Sequence, residues 1–244
     1  MKLDNMPVKT DFDFGRKDFG RKAWRKKCRA ADLALQHQRG NILDVGCGKC
    51  ELHRFLRAQG WNGDYYGIDC QRYEGIEYPE DVKLIVGDAL DVEFPPADTV
   101  VLYNILEHID DPQRLLSKSL EHCQQNVLIN VPKRNEELWL TYGIVEYHQL
   151  DKTHKHCGFS PEELRALITA AGGTITTYKE CGEIDALVGT RLWNNLAPKT
   201  IIWLLAQIFS SKTFYGEMWC DVTPATRNRG STTLSDASSQ PAGC

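Results

Sequence analysis

The chain has 244 residues, of which 42% are hydrophobic and 25% are charged, with a formal net charge of −4 at pH 7. This composition is ordinary for a globular protein, and the length allows one large α/β domain or at most two small ones. No apolar run reaches the roughly 18 residues that a membrane-spanning helix needs, and the opening residues lack the apolar region of a secretory signal. We therefore expect a cytoplasmic protein without an integral membrane segment, whose nine cysteines are free thiols.

Positive charge is concentrated at the start of the chain, where residues 1–40 contain eleven Lys or Arg but only five Asp. The density of basic residues peaks in "RKAWRKKCR", residues 21–29. We predict a basic helical extension over residues 1–39. Its charged side is either a solvated helix face or a patch for an anionic partner, such as a phosphorylated substrate, a lipid headgroup or RNA.

Strand-like and helix-like segments then alternate over residues 40–222, which predicts one α/β domain. Its fold class is a doubly wound, mostly parallel seven-stranded sheet with helices on both faces. The predicted strands span about 41–45, 64–69, 82–88, 98–104, 126–131, 174–180 and 216–222. Helices are predicted at 50–58, after the Asp111-Pro112 pair, after the Ser160-x-x-Glu163 capping box, and at 200–209. The polar tail, residues 223–244, is predicted to be disordered.

Polar residues stand at the ends of the first four predicted strands. The first strand ends in Asp44 and a glycine turn, the second in Asp69, the third in Asp88 and the fourth in Asn104. In an open parallel sheet, ligands bind outside the carboxyl ends of the strands. A lone Asp at a strand end is more often a helix cap, but four such residues in order indicate a binding edge.

The turn "DVGCGKCE" indicates which ligand this edge holds. Gly46 and Gly48 allow a tight turn and a close approach of the backbone to a ligand. Asp69 lies 21 residues after Gly48, the spacing at which an acid binds a ribose diol, and Asp88 is placed to reach an adenine amine. Glu51 stands where a dinucleotide motif has its third glycine, and its charge would repel a pyrophosphate. The sequence therefore favours an adenosine with a cationic tail over a dehydrogenase cofactor.

At this point the chain resembles the class I (Rossmann-like) methyltransferases of the small-molecule type, which use S-adenosylmethionine. The similarity lies in "LDVGCG", "YYGIDC", "VGDALD", "YNILEHIDDPQRLL" and "HQLDKTHKHCGFSPEELRALITAAGG", and it covers about residues 40–180. Cys50 stands where that family usually has a third glycine, and we expect this small residue to be tolerated by close helix–strand packing. The resemblance implies S-adenosylmethionine as cofactor, bound by Asp44, Gly46, Gly48, Asp69, Asp88, Ala89, Asn104 and Leu106.

The resemblance also implies methyl transfer to a hydroxyl or amine of a small molecule or of a glycan or lipid precursor. Such a substrate would be anionic or lipid-linked if the basic extension helps to bind it. His108, after the fourth strand, and His148, in the long connection of residues 133–159, are the candidate bases. We predict no metal site, because the segment from Asn104 to His108 has one carboxylate where Mg²⁺-dependent methyltransferases have two. The alternatives are an RNA methyltransferase that uses the basic extension, which the negative net charge disfavours, and a catalytically inactive cofactor-binding relative.

Overall fold

The computed structural model describes residues 31–137, 151–184 and 214–225, which build one seven-stranded sheet. The strand order across the sheet is β3-β2-β1-β4-β5-β7-β6. The strands are β1 (Ile42–Val45), β2 (Tyr65–Asp69), β3 (Val82–Val86), β4 (Ala97–Tyr103), β5 (Cys123–Pro132), β6 (Gly173–Ile184) and β7 (Phe214–Pro224). The helices with both ends described are α1 (Glu51–Ala58), α2 (Pro112–His122) and α3 (Pro161–Ala170), and residues 31–37 are also helical.

The first five strands run parallel, and the direction in which the chain adds strands reverses between β1 and β4. From β1 the chain moves outward through β2 to β3, and it then returns to place β4 on the other side of β1. β5 continues the parallel pairing, whereas β7 pairs antiparallel with both β5 and β6. The predicted mostly parallel, doubly wound sheet is confirmed, and its switch point lies between β1 and β4.

Two apolar cores, one on each face of the sheet, hold the helices. On one face α2 and α3 insert Leu115 and Leu164, both fully buried, against the sheet. On the other face residues 31–37 and α1 contribute Leu33 and Phe55. Each such side chain contributes about 1.5–3 kcal/mol when it is fully buried. The cores therefore fix both helical layers relative to the sheet edge that follows β1 and β4.

The helix starts that the sequence predicted are present. At the start of α2, the Asp111 carboxylate accepts a hydrogen bond from the Arg114 amide at 2.9 Å, and Pro112 is the first helical residue. At the start of α3, Ser160 and Glu163 form a reciprocal capping box, with donor–acceptor distances of 3.2 and 2.7 Å. These caps satisfy amides that have no partner inside the helix.

Several strand boundaries differ from the prediction because pairing, rather than local composition, sets them. β5 begins at Cys123, directly after α2, and includes Pro132, one residue beyond the predicted end of the strand. β6 and β7 pair from Gly173 with Pro224 to Ile184 with Phe214, so both strands are longer than predicted. β7 thereby takes the first two residues of the predicted tail.

Some predictions fall outside the described residues: most of the basic extension, the helix at 200–209, most of the tail, and His148. Among the residues that are described, no helix has the length and apolarity to cross a bilayer.

Candidate functional site

The polar residues at the strand ends lie along one edge of the sheet. β1 pairs in register with both neighbours, Val45 lying opposite Ile68 in β2 and opposite Leu102 in β4. Because these strands are parallel, the residues that follow them emerge at the same edge. The structure thus places the glycine turn, Asp69 and Asn104 next to one another at the switch point.

The glycine turn is held by backbone hydrogen bonds and by the Asp69 carboxylate. The Gly46 and Cys47 amides donate to the Ile68 carbonyl at 2.8 and 3.0 Å. The Gly48 amide donates to Asp69 Oδ2 at 2.8 Å. Both glycines have positive φ, 78° for Gly46 and 54° for Gly48, a conformation that glycine adopts without steric cost. The turn is therefore fixed in shape by contacts between β1 and β2.

The two glycines differ in what surrounds them. A Cβ atom added to Gly46 would lie 3.0 Å from Ile105 Cδ1, so this glycine lets the segment after β4 approach the turn. A Cβ atom added to Gly48 would have no atom of the described chain within 4 Å. The space beside Gly48 is thus open to a ligand, and it fits the close backbone approach that a bound nucleoside requires.

Cys50 has a role that the sequence did not reveal. Its φ of 57° and ψ of 39° place it in the left-handed region, directly before α1, and its side chain is fully buried. This position therefore requires a left-handed backbone conformation as well as close packing. A residue with a Cβ atom pays about 1–2 kcal/mol for this conformation. A hydrogen bond with Cys50 and burial both raise the pKa of the neighbouring Cys47 thiol, so this thiol stays protonated at neutral pH.

Asp44 is buried beneath the turn and is not exposed along its rim. Only 4% of the residue is accessible, and the Tyr65 hydroxyl donates a hydrogen bond to Asp44 Oδ2. Burial raises the pKa of Asp44 to about 7; the Tyr65 hydrogen bond opposes this shift, and the charge of Asp69 adds to it. Without a ligand, Asp44 is thus close to half protonated at neutral pH. Tyr65 was missed in the sequence, because only the pairing of β1 with β2 brings it to Asp44.

Asp69 and Asp88 are bound to the backbone but keep the capacity to accept further hydrogen bonds. Besides the Gly48 amide, Asp69 accepts from the Gln71 amide at 3.3 Å. Asp88 is exposed, and one of its carboxylate oxygens accepts from the Leu90 amide at 2.8 Å. A carboxylate offers about four lone-pair sites, so acceptors remain in both residues. Ala89, beside Asp88, is buried.

After β4 the chain turns sharply toward the glycine turn. Asn104 has a positive φ of 49°, which Asn tolerates better than most residues, and its amide donates to the Asn130 carbonyl at 2.8 Å. Leu106, Glu107 and His108 then form a short 3₁₀ helix. The Leu106 side chain is fully buried in the core, so only its backbone is available to a ligand at the edge.

The 3₁₀ helix carries a cluster of three ionisable side chains, which we call the Glu–His–His cluster: Glu107, His108 and His154. One potential ligand atom from each lies within 4.8 Å of the others, and the two imidazole centroids are 4.5 Å apart. Glu107 is 1% exposed, and burial raises its pKa to about 8. The sequence indicated His108 as a candidate base, and only the fold brings His154 next to it.

The loop that carries His154 is fastened to the 3₁₀ helix by its backbone. The Lys155 and His156 amides donate to the Glu107 carbonyl at 2.8 and 3.1 Å. His108 Nδ1 lies 3.2 Å from the Thr153 carbonyl oxygen, so an Nδ1–H donated there leaves Nε2 with its lone pair. Residues 151–158 therefore cover the end of β4.

Comparisons with known proteins agree with this architecture. A family model described as "Methyltransferase domain" matches residues 18–178 of the chain. No curated protein sequence matches it. Similar solved structures include a putative methyltransferase in complex with the Haloferax volcanii Trm112 methyltransferase activator, with a TM-score of 0.59, 14% identity, and coverage of 84% of this chain and 90% of that chain.

Two further structures show the same fold. A putative methyltransferase from Bacillus halodurans aligns with a TM-score of 0.56 and 14% identity, over 82% of this chain and 100% of its own. The magnesium protoporphyrin IX methyltransferase of Synechocystis, crystallised with S-adenosylhomocysteine (SAH), aligns with a TM-score of 0.50 and 14% identity, over 82% of each chain.

Proposed function

Because the chain belongs to the class I S-adenosylmethionine-dependent methyltransferases, we propose that it methylates a hydroxyl or amine of a small molecule or of a glycan or lipid precursor. The observation that carries this proposal is the open glycine turn at the switch point. Its Gly48 amide is held by Asp69, and the segment after β4 lies against Gly46. Backbone, acid and acceptor segment thus meet where a doubly wound sheet binds its ligand.

Each side of this edge has a proposed role in cofactor binding. Gly46 and Gly48 let the backbone approach the nucleoside, and Asp69 accepts the ribose hydroxyls with its remaining lone pairs. Asp88 and Ala89 bind the adenine, and the backbone of Asn104 and Leu106 contacts the methionine part. Asp44 responds to a cationic group by losing its proton, since a nearby positive charge lowers the pKa of a carboxyl.

The acceptor side is the Glu–His–His cluster. When bound, S-adenosylmethionine supplies a methyl group on a sulfonium; an acceptor lone pair bonds to that carbon, the carbon–sulfur pair stays on sulfur, and the acceptor proton must leave. We propose that the cluster after β4 promotes loss of that proton. Positioning of the two reactants supplies much of the rest of the rate enhancement, since it lowers the activation barrier by about 7–11 kcal/mol in well-oriented reactions. His148 stays a second candidate from the sequence.

A location in the reducing cytoplasm also remains part of the proposal. Its support is that all seven cysteines of the described ranges are free thiols, as is usual where glutathione keeps thiols reduced.

Calorimetric titration with SAH tests the proposed cofactor site. We expect wild-type protein to bind one SAH per chain. Asp69→Ala removes the acceptor for the Gly48 amide and for the ribose, so we expect its dissociation constant to rise about 10- to 100-fold, as the loss of charge-assisted hydrogen bonds predicts. The matched control is Asp64→Ala, since Asp64 lies before β2 at the opposite edge and pairs with Lys83 at the surface.

Two results would decide against parts of the proposal. If the wild type fails to bind SAH at millimolar concentration, the cofactor assignment is wrong. If SAH binds but labelled S-adenosylmethionine transfers no methyl group to any hydroxyl, amine or RNA acceptor tested, the chain is a binding-only relative. Salt-sensitive RNA binding that is lost when Arg25, Lys26 and Lys27 are neutralised would instead favour an RNA substrate.

A further inference from the structure

The Glu–His–His cluster contains a buried acid whose environment is incomplete. Glu107 is 1% exposed, and its Oε2 atom has no hydrogen-bond partner among the residues that the structure describes. A buried polar atom without a partner is costly, so native proteins seldom keep one without a function. Two imidazole rings stand beside this carboxyl, which makes a cation a chemically suitable partner.

The residues around the cluster orient the His108 ring as a metal ligand is oriented, and they place a carboxylate near the His154 ring. An Nδ1–H of His108 directed at the Thr153 carbonyl, 3.2 Å away, leaves Nε2 as the free nitrogen. Asp151 Oδ2 lies 3.8 Å from His154 Nε2. Asp151 is itself held by the Thr153 amide and hydroxyl at 2.9 and 2.7 Å. Metal-bound histidines usually donate their second ring N–H to a carbonyl or carboxylate, as His108 can to Thr153, and this hydrogen bond fixes the tautomer and the ring.

We propose that Glu107, His108 and His154 form a binding site for one divalent transition-metal ion, contributed by the 3₁₀ helix after β4 and by the loop before α3. Two imidazole nitrogens and one carboxylate oxygen suit Zn²⁺, Co²⁺, Mn²⁺ or Fe²⁺, whereas Mg²⁺ prefers oxygen ligands alone. This proposal differs from the expectation of no metal site, which weighed only the carboxylates near His108. In the sequence, His154 lies 46 residues after His108.

The site has to contract to hold an ion. The potential ligand atoms lie within 4.8 Å of one another, whereas ligand atoms around a tetrahedral zinc are about 3.3 Å apart, given bonds of about 2.0–2.2 Å. Side-chain rotation must therefore bring the atoms roughly 1–1.5 Å closer. The Lys155 and His156 amides already hold the loop of His154 against the 3₁₀ helix by hydrogen bonds. Rotation of the side chains is therefore sufficient, and the sheet does not have to shift.

The use of the ion in catalysis rests on the proposed function. Three protein ligands leave coordination positions for an acceptor oxygen, and an ion at such a position makes an O–H group more acidic. His108, predicted as a direct base, would instead position the acceptor through the ion. A hydroxyl acceptor is then favoured over an amine, since an amine would bind the ion through the same lone pair that has to attack the methyl group.

Metal titration of the full-length protein, stripped with a chelator, tests the site. We expect one Co²⁺ or Zn²⁺ per chain by calorimetry, with Co²⁺ absorption bands typical of nitrogen and oxygen ligands and without thiolate charge transfer. Glu107→Gln and His154→Gln should each weaken binding by at least about tenfold, the lower bound for loss of a group that tunes a metal site. Mg²⁺ should not compete at equal concentration.

The matched control is His122→Gln, because His122 lies at the end of α2 and hydrogen-bonds to the Lys118 carbonyl. It should bind Co²⁺ as the wild type does. The proposal would be overturned if the wild type does not bind the metal stoichiometrically. It would also be overturned if Glu107→Gln and His154→Gln bind the metal as tightly as the wild type does. If Glu107→Gln does not fold, His154→Gln decides alone, since His154 lies outside the helices and strands. A parallel SAH titration separates the two ideas: binding of SAH without binding of metal rejects only the metal site.

Discussion

The turn after β1 and the segment after β4 meet at the same edge of the sheet, but they are built in different ways. In the turn, the fixed parts are backbone amides, two glycines with positive φ, and one carboxylate that accepts from Gly48. After β4, the fixed parts are side chains that come from two distant segments, Glu107 and His108 from one and His154 from the other. The turn presents a backbone surface, and the segment after β4 presents side chains. This division fits the proposal that the turn binds the cofactor and that the Glu–His–His cluster faces the acceptor.

The largest expected effect follows from breaking the backbone of the turn. Gly46→Val places a β-branched residue at a φ of 78° and against Ile105, so we expect the free energy of unfolding to fall by about 2–5 kcal/mol from backbone strain and overpacking together. Urea unfolding measures it. Gly48→Val is the control: it shares the positive φ but has no described atom within 4 Å of its Cβ, so it should lose only about 1–2 kcal/mol. Equal losses would show that Ile105 does not press on the turn.

The buried carboxyl of Asp44, beneath the turn, should make the stability of the protein depend on pH. Burial raises the pKa of Asp44 to about 7 in the folded protein, from the ordinary aspartate value of 3.8. A carboxyl with a raised folded pKa favours folding at low pH, and that contribution is lost as pH rises through the folded pKa. Between pH 5 and pH 8 the wild type should therefore lose about 2–3 kcal/mol that Asp44→Asn does not lose. Denaturant unfolding of both proteins at the two pH values provides the measurement, and parallel pH profiles would show that Asp44 is not buried as described.

The smallest expected effect comes from two non-glycine residues with positive φ, Cys50 in the turn and Asn104 in the segment after β4. Cys50→Gly relieves the left-handed strain before α1, so it should be more stable than Cys50→Ala by about 1 kcal/mol. Asn104→Gly should change the free energy of unfolding by less than about 0.5 kcal/mol relative to the wild type, because Asn tolerates this conformation. Thermal unfolding monitored by circular dichroism measures the difference in stability between Cys50→Gly and Cys50→Ala and between Asn104→Gly and the wild type. A gain at position 104 equal to that at position 50 would contradict the assignment of strain to Cys50.

The elements of the fold were predictable where local signals dominate. The apolar runs of β1 and β4, the Asp111-Pro112 start of α2 and the Ser160 capping box of α3 are each encoded within a few residues. The ends of β5, β6 and β7 were not, because the pairing partners that extend these strands lie far away in the chain. Pro132 shows this clearly: local rules end a strand there, but its carbonyl accepts from Phe159 and its strand continues to pair with Glu217.

By itself the sequence determined the order of strands and helices and the residues at the strand ends, because these depend on periodicity, caps and glycine spacing, and its motifs resemble those of the family. Only the tertiary structure decided that Asp44 is buried against Tyr65, that Cys50 has a left-handed backbone conformation, and that His154 lies beside Glu107 and His108. The physical reason is that burial, pKa and ligand geometry depend on which distant segments come into contact. Strand register and loop docking set those contacts, and neither can be read from neighbouring residues in the chain.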